Sequence, residues 1–98
     1  MTITGVLQVE LHIPTAQSLK QKRSVVKSLK DRLRNHYNVS IAEVDHQDKW
    51  QRTTLAIAMV SANHGHLESR FESISTFIDQ EILGSAFVTN RELIFLQV

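Results

Sequence analysis

Residues 18–34 read SLKQKRSVVKSLKDRLR, and this stretch predicts both the first helix of the fold and the main charge feature of the chain. Ser18 is a candidate N-cap, because its hydroxyl can accept a hydrogen bond from the first helical turn. Seven cations stand against Asp31 alone, so the stretch carries a net charge of +6, whereas the whole chain carries +1. The apolar residues recur at helical spacing and form a predicted inward stripe of Leu19, Val26, Leu29, Leu33 and Tyr37.

The composition indicates one globular domain spanning residues 1–98, because a chain of this length can bury a single core. Hydrophobic residues make up 42% of the chain and charged residues 21%, which is typical of a water-soluble domain. The absence of cysteine excludes disulfides, thiolate metal sites and a Cys nucleophile. The first residues, MTITGVLQVELHI, lack the pattern of a signal peptide, and we expect a cytoplasmic protein.

Outside the basic stretch, apolar residues alternate in the segments predicted as strands and recur at helical spacing in one further segment. Alternation predicts a strand over residues 2–13, a β-hairpin from strands 39–46 and 50–62, and a last strand over 86–98, interrupted by a turn near Thr89. Helical spacing predicts a second helix over 66–83, with a net charge of −3. A bulge or an edge position is expected near Glu43, where the alternation of the second strand is imperfect.

The resulting order β-α-β-β-α-β predicts the ferredoxin-like α+β fold. With right-handed crossovers, the strands form one antiparallel sheet in the order 4-1-3-2, and both helices cover the same face. The other face is bare in an isolated domain and is half apolar on the two central strands. A strand that is apolar on both faces is usually covered on both, so we expect a second copy of the chain or a partner to pack there. Scattered surface aliphatics without a role remain the alternative.

The register of the last strand decides which of its residues reach this open face. One register presents Leu93 and Phe95, and the other presents Ile94, Leu96 and Val98.

No catalytic motif is present, because the chain has no GxSxG elbow, no GxxxxGK[ST] loop and no GxGxxG loop. No catalytic residue and no cofactor are therefore predicted. Asp45, His46 and Asp48 are metal ligands by type, although their spacing matches no known loop site. A solvated polar hairpin turn is the alternative interpretation of this cluster.

The basic stretch is the strongest functional feature, since Lys and Arg at surface spacing neutralise phosphates. The alternatives are a solvated helix face or pairing with acids of the second helix. Base stacking on the sheet is not expected, because the positions that need aromatic residues hold Gln8, Glu10, Ala56 and Ala58.

Residues 18–52, SLKQKRSVVKSLKDRLRNHYNVSIAEVDHQDKWQR, resemble the DUF503 family of small bacterial proteins of unknown function, the YlxP-like proteins. The SLKxKRSVVKSL and AEVDHQDxWQR blocks carry the resemblance. It implies a ferredoxin-like fold. It also implies a role around RNA or ribosomes, because family members often lie near genes for translation initiation and ribosome maturation. No catalytic residues follow from it.

These observations predict a non-enzymatic binding module, associated with RNA or the ribosome through the basic helix and the following hairpin. The alternatives are a protein-interaction domain that oligomerises through its open sheet face and, third, a small metal-dependent enzyme. Trp50 either stacks on a base or partner, or folds back over the core. The predicted binding residues are Lys20, Lys22, Arg23, Lys27, Lys30, Arg34, Lys49, Trp50 and Arg52.

Overall fold

The computed structural model describes all residues from 1 to 98 and confirms the predicted order of elements. The elements are β1 (Ile3–His12), α1 (Leu19–His36), β2 (Ser40–Asp45), β3 (Arg52–Ser61), α2 (His64–Glu81) and β4 (Phe87–Gln97). The four strands form one antiparallel sheet in the order β2-β3-β1-β4, which is the predicted order counted from the other edge. The fold is therefore the predicted ferredoxin-like α+β arrangement. Neither helix is long and apolar enough to cross a membrane.

The core lies between one face of the sheet and the two helices. Alternate residues of β1 are buried, as the period of two predicted. In α2, the buried residues recur at helical spacing and are Leu67, Phe71, Ile74 and Ile78. In α1, the buried apolar residues are Val26, Leu29 and Leu33, while Leu19 and Tyr37 are only partly buried.

Both helices begin at a capping side chain. The Ser18 hydroxyl accepts a hydrogen bond from the backbone N–H of Gln21 at 3.1 Å, as predicted. Helix α2 begins two residues before the predicted start, because the Asn63 side chain accepts from the backbone N–H of His66 at 2.9 Å. The last turn of α2 leads to Gly84, whose φ of +82° lies in the left-handed region that glycine tolerates.

The two edge strands each contain a bulge. In β4, Asn90 pairs with Glu10 and Val88 pairs with Leu11, so Thr89 is an extra residue. The predicted turn near Thr89 is therefore a bulge within a continuous strand. In β2, Val44 is the extra residue, which confirms the irregularity expected there.

The open face is arranged in rows of residues that pair across the strands. Its register is the second of the two considered, because Ile94 pairs with Val6, and Leu96 pairs with Thr4. The rows at one end of the face are apolar and small; they contain Leu96, Thr4 and Val60, then Ile94, Val6, Ala58 and Ser40. A middle row contains Glu92, Gln8, Ala56 and Ala42, and the far end is polar.

Candidate functional site

Five of the seven cations in α1 lie on a single line along the helix. They follow one another at alternating intervals of three and four residues, so the line runs almost parallel to the helix axis. At a rise of about 1.5 Å per residue, it is about 21 Å long. We call it the basic stripe; its members are Lys20, Arg23, Lys27, Lys30 and Arg34.

The basic stripe lies on the flank of α1 that faces away from α2. The Arg34 guanidinium donates a hydrogen bond to the carbonyl of Ile41 at 3.3 Å, which places this flank beside the edge strand β2. Arg32, about 160° around the helix from the centre of the stripe, forms an ion pair with Glu81 of α2. Pairing between the two helices therefore removes only Arg32 from the exposed positive charge.

Most of the basic stripe has no acidic partner. Lys27 pairs with Asp31 at 2.7 Å, and Arg34 approaches the same carboxylate at 3.7 Å. The hydrogen bond from Lys27 and the charges of neighbouring cations lower the pKa of Asp31, so this carboxyl stays ionised. Lys20, Arg23 and Lys30 form no ion pair. With Asp31 counted against it, the stripe keeps a net charge of +4.

Lys22, predicted as a binding residue, is instead completely buried. Its ammonium group donates hydrogen bonds to the carbonyl oxygens of His46 at 2.8 Å and Gln47 at 3.0 Å, with a longer contact to that of Arg52 at 3.4 Å. It also pairs with the carboxylate of Glu43 at 3.0 Å. The prediction was wrong for this residue, because Lys22 lies on the inward face of the helix and not on the basic stripe.

The partners of Lys22 form a closed polar group beneath the β2–β3 loop. The Thr53 hydroxyl donates to the same Glu43 oxygen at 2.5 Å. No buried side-chain nitrogen or oxygen atom in the structure lacks a hydrogen-bond partner. The loop carbonyls accept hydrogen bonds from the ammonium group of Lys22, which belongs to α1. The first helix and the hairpin are therefore held together at this point. We call this group the Lys22 lock; its members are Lys22, Glu43, His46, Gln47, Arg52 and Thr53.

The Lys22 lock holds the loop in an unusual backbone conformation. His46 has a φ of +62°, in the left-handed region that few residues other than glycine adopt. The Gln51 amide adds hydrogen bonds to the carbonyls of Pro14 and Ala16, both at 3.0 Å, before the start of α1. Lys49 and Trp50 are therefore presented at the same end of the molecule as the start of the basic stripe. Trp50 is 56% exposed, so it does not cover the core.

Arg52 does not lie with the basic stripe. Its side chain lies on the open face and contacts both oxygens of Glu10 at 3.2 and 3.3 Å, while Thr89 donates to Glu10 at 2.9 Å. The hydrogen bond from Thr89, followed by the interaction with Arg52, lowers the pKa of Glu10. Of the nine predicted binding residues, the structure thus brings five together on the stripe and two at its end.

Of the three weak metal candidates, Asp45 and His46 have other contacts. Asp45 accepts a hydrogen bond from the backbone N–H of His46 at 2.7 Å, and the His46 imidazole contacts the Thr54 hydroxyl at 2.9 Å. Asp48 is exposed. No group of three or more His, Cys, Asp or Glu side chains in the structure is placed to hold a metal ion.

The sequence did contain the signal that separates Lys22 from the other cations. Lys22 precedes Val26 by four residues, Leu29 by seven and Leu33 by eleven, which is the spacing of one helix face. A lysine on an apolar face indicates a buried partner, and Glu43 has the required charge. The sequence did not identify the loop carbonyls as partners, because every residue has a backbone carbonyl and the residue types therefore do not distinguish them.

One antiparallel sheet with two helices on a single face, and a basic stripe on the outer helix flank, define a small ferredoxin-like domain with a candidate anion-binding surface. The profile of the family described as "Protein of unknown function (DUF503)" matches residues 4–91. The chain belongs to this family. It is also similar to the uncharacterized protein YlxP of Bacillus subtilis (strain 168), with 43% identity over 75 residues that cover 76% of this chain and 82% of that protein.

Solved structures similar to this chain include two designed proteins. The de novo designed protein Foldit4 matches with a TM-score of 0.57 at 11% identity, covering 100% of this chain and 99% of that chain. The de novo designed protein Ferredog-Diesel matches with a TM-score of 0.51 at 12% identity, covering 96% and 84%. At such identities the likeness concerns the fold alone.

Proposed function

We propose that the chain is a non-enzymatic binding module whose basic stripe binds the phosphate backbone of structured RNA. One observation carries the proposal: three unpaired cations, Lys20, Arg23 and Lys30, stand in one line with the two remaining members of the stripe. Successive members are separated by about 4.5–6 Å of helix rise, which suits contacts with successive phosphates of one strand.

The proposed binding is through shape and charge and not through base sequence. The open face lacks aromatic residues on its two central strands, where Gln8, Glu10, Ala56 and Ala58 stand, so it offers no platform for stacked bases. Trp50, exposed at the end of the stripe, is the one aromatic side chain placed to contact a flanking base or sugar. RNA is the proposed source of phosphate because the resemblance to DUF503 proteins implies a setting near ribosomes.

The test is the salt dependence of binding to a structured RNA duplex and to ribosomal subunits. The wild type is compared with a triple variant, Lys20→Gln/Arg23→Gln/Lys30→Gln, in which every unpaired cation of the stripe is neutral. For the wild type we expect the logarithm of the binding constant to fall with the logarithm of the salt concentration with a slope of about −3 to −4. Each removed contact should reduce this slope by about one.

The matched control is Arg70→Gln, which neutralises an exposed cation of α2 that forms no ion pair. This variant should bind as the wild type does. Lys22 is left unchanged, because its replacement would disturb the loop and confuse a folding defect with lost binding. The proposal fails if the wild type binds neither probe, or if the triple variant keeps the affinity and slope of the wild type.

A second candidate function is protein association through the open sheet face. Val60 and Leu96 are large apolar residues and are 65% and 58% exposed on that face. The open face lies on the side of the sheet opposite to the helices, so this function is compatible with binding of RNA by the basic stripe.

A further inference from the structure

The apolar end of the open face has a raised side and a hollow side. Ile94 and Leu96 project from β4 at one edge of the sheet, 45% and 58% exposed. In the rows of Ile94 and Glu92, the positions on β3 and β2 hold small residues, Ala58, Ala56 and Ala42, whereas the row of Leu96 contains the larger Val60 on β3. A face with one raised half and one low half is not complementary to a flat surface, but it is complementary to itself after a twofold rotation.

The β2 side of the face is uncovered beside Val60, in the row where β2 has not yet begun. Because β2 starts at Ser40, which pairs with Ala58, Val60 has no neighbour on that side. A shallow cavity of about 310 Å³ opens there at the edge of the sheet, where Val39 and Met59 of its lining pack toward the core and Ala58 and Val60 belong to the open face. Its lining is mainly apolar and consists of Asn38, Val39, Ser40, Ala58, Met59 and Val60.

We propose that the open face binds a second copy of this chain, with the twofold axis parallel to the strands and between β1 and β3. This rotation places β4 of one copy over β2 of the other and keeps each row over the same row. Leu96 lies in the same row as Val60. It therefore faces the shallow cavity of the second copy, and the contact occurs twice. The sheets pack face to face in the aligned manner of a β-sandwich.

Size and charge also favour a second copy as the occupant. Four strands spaced about 4.8 Å apart and about 30 Å long present roughly 600 Å² of planar area. Standard interfaces bury about 800 Å² of accessible surface per partner, so nearly the whole face must be used. At the polar end, Arg52 and Glu10 neutralise each other within one chain. Glu92, at the β4 edge of the middle row, forms no ion pair, so the face keeps one uncompensated charge at its edge and little charge elsewhere.

The first test is the mass of the full chain in solution, measured by light scattering across a concentration series. The wild type should have twice its chain mass of 11.2 kDa. Leu96→Asp should be monomeric, because it places a carboxylate where the second copy would desolvate it. Leu83→Asp is the matched control: Leu83 is 79% exposed but follows α2, away from the open face, and this variant should remain a dimer.

The second test uses the absence of native cysteine to check the orientation. Glu92→Cys and Ala42→Cys variants are mixed and treated with a short bismaleimide. The two positions share a row at opposite edges of the sheet, so the proposed axis brings residue 92 of one copy over residue 42 of the other. Cross-linked dimer should form in the mixture and far less in either variant alone.

A monomeric wild type at the highest soluble concentration would overturn the proposal and leave the open face to a different protein. A dimer that persists in Leu96→Asp, with the circular dichroism of the wild type, would move the interface elsewhere. Equal cross-linking in the single variants and the mixture would contradict the axis. None of these outcomes bears on the basic stripe, which lies on the outer flank of α1, on the other side of the sheet.

Discussion

At the scale of single residues, the ammonium group of Lys22 is a buried cation that holds the β2–β3 loop. It brings together three carbonyl oxygens and the carboxylate of Glu43, all of which would be costly to bury without a partner. The group joins residues of the two sequence blocks 18–29 and 42–52, because Lys22 belongs to the first block and Glu43 to the second. These blocks therefore contribute to how the helix and the hairpin are held together, and Lys22 is not free for a ligand.

Replacing Lys22 should destabilise the protein far more than replacing any member of the basic stripe. Lys22→Met keeps most of the side-chain volume but leaves the Glu43 charge and the loop carbonyls unpaired, and we expect a loss of about 3–5 kcal/mol in the free energy of unfolding. Urea denaturation measures it. Lys20→Met, at an exposed position, is the control and should stay within about 0.5 kcal/mol of wild type. Equal losses in the two variants would show that the lock contributes little.

Glu10 should make the stability of the protein sensitive to acid. Its pKa in the folded protein is lowered from the ordinary 4.5 by Thr89 and Arg52. The unfolded chain therefore binds the proton more readily, so the contribution of Glu10 is present above the unfolded pKa and is lost as the pH falls through the folded pKa. Glu10→Gln should lose less stability than wild type between about pH 7 and about pH 3.

The measurement is urea denaturation at both pH values. Glu92→Gln is the control on the same face, because Glu92 forms no ion pair, and it should keep the pH dependence of the wild type. An unchanged pH dependence in Glu10→Gln would mean that other carboxyl groups are responsible.

At the scale of elements, β1 and α2 approach each other closely at Gly5. A Cβ atom built on Gly5 would collide with the ring of Phe71 and come within 3.2 Å of the Phe95 ring. The two rings pack edge to face, with centroids 6.4 Å apart, over the backbone of β1. Glycine is thus required by space and not by an unusual backbone angle. It fixes how near α2 lies to the sheet.

Gly5→Ala should lower the free energy of unfolding by about 1–3 kcal/mol, because the Phe71 ring must move within a packed core. Gly65→Ala is the matched control, since its Cβ would meet only the Asn63 side chain at 3.4 Å. Gly65 is in the first turn of α2, where alanine should stabilise the protein by about 0.5–1 kcal/mol. Thermal and urea denaturation show whether each substitution lowers or raises the free energy of unfolding. A neutral Gly5→Ala would show that Phe71 has room to shift.

At the scale of the whole molecule, the sheet separates two surfaces of different character. The basic stripe lies on the outer flank of α1, and the apolar end of the open face lies on the other side of the sheet. In the proposed dimer the helices remain outside, so both stripes stay accessible. Each surface can therefore be altered without touching the other.

Variants of the two surfaces should have independent effects. The Lys20→Gln/Arg23→Gln/Lys30→Gln variant should keep the dimer mass, because sites this far apart with no shared contacts act additively. Leu96→Asp should keep the affinity and salt slope of wild type for an RNA duplex that is short enough to contact one stripe. Light scattering and a binding titration measure these results. Loss of RNA binding in a folded Leu96→Asp monomer would instead mean that the RNA site is shared between two copies.

The sequence by itself determined the elements, their order and the sheet topology. The elements follow from local periodicity, and the topology follows from the general right-handedness of crossovers, which applies to any sequence with this order of elements. It also determined that α1 carries an excess of positive charge. The start of α2 moved by two residues, because the Asn63 cap was not recognised, and the turn expected in β4 became a bulge.

Tertiary structure alone decided which partners hold the buried and paired cations and which residues of β4 reach the open face. Lys22 is buried because Glu43 and three loop carbonyls, distant in sequence, converge on it. Arg32 is paired because α2 lies beside α1, and Arg52 is held by Glu10 across two strands. The register that presents Leu96 depends on pairing with β1. Local periodicity can place Lys22 on the inward face of α1, but it does not identify the distant partners that make it a buried anchor, because those partners come together only in the tertiary structure.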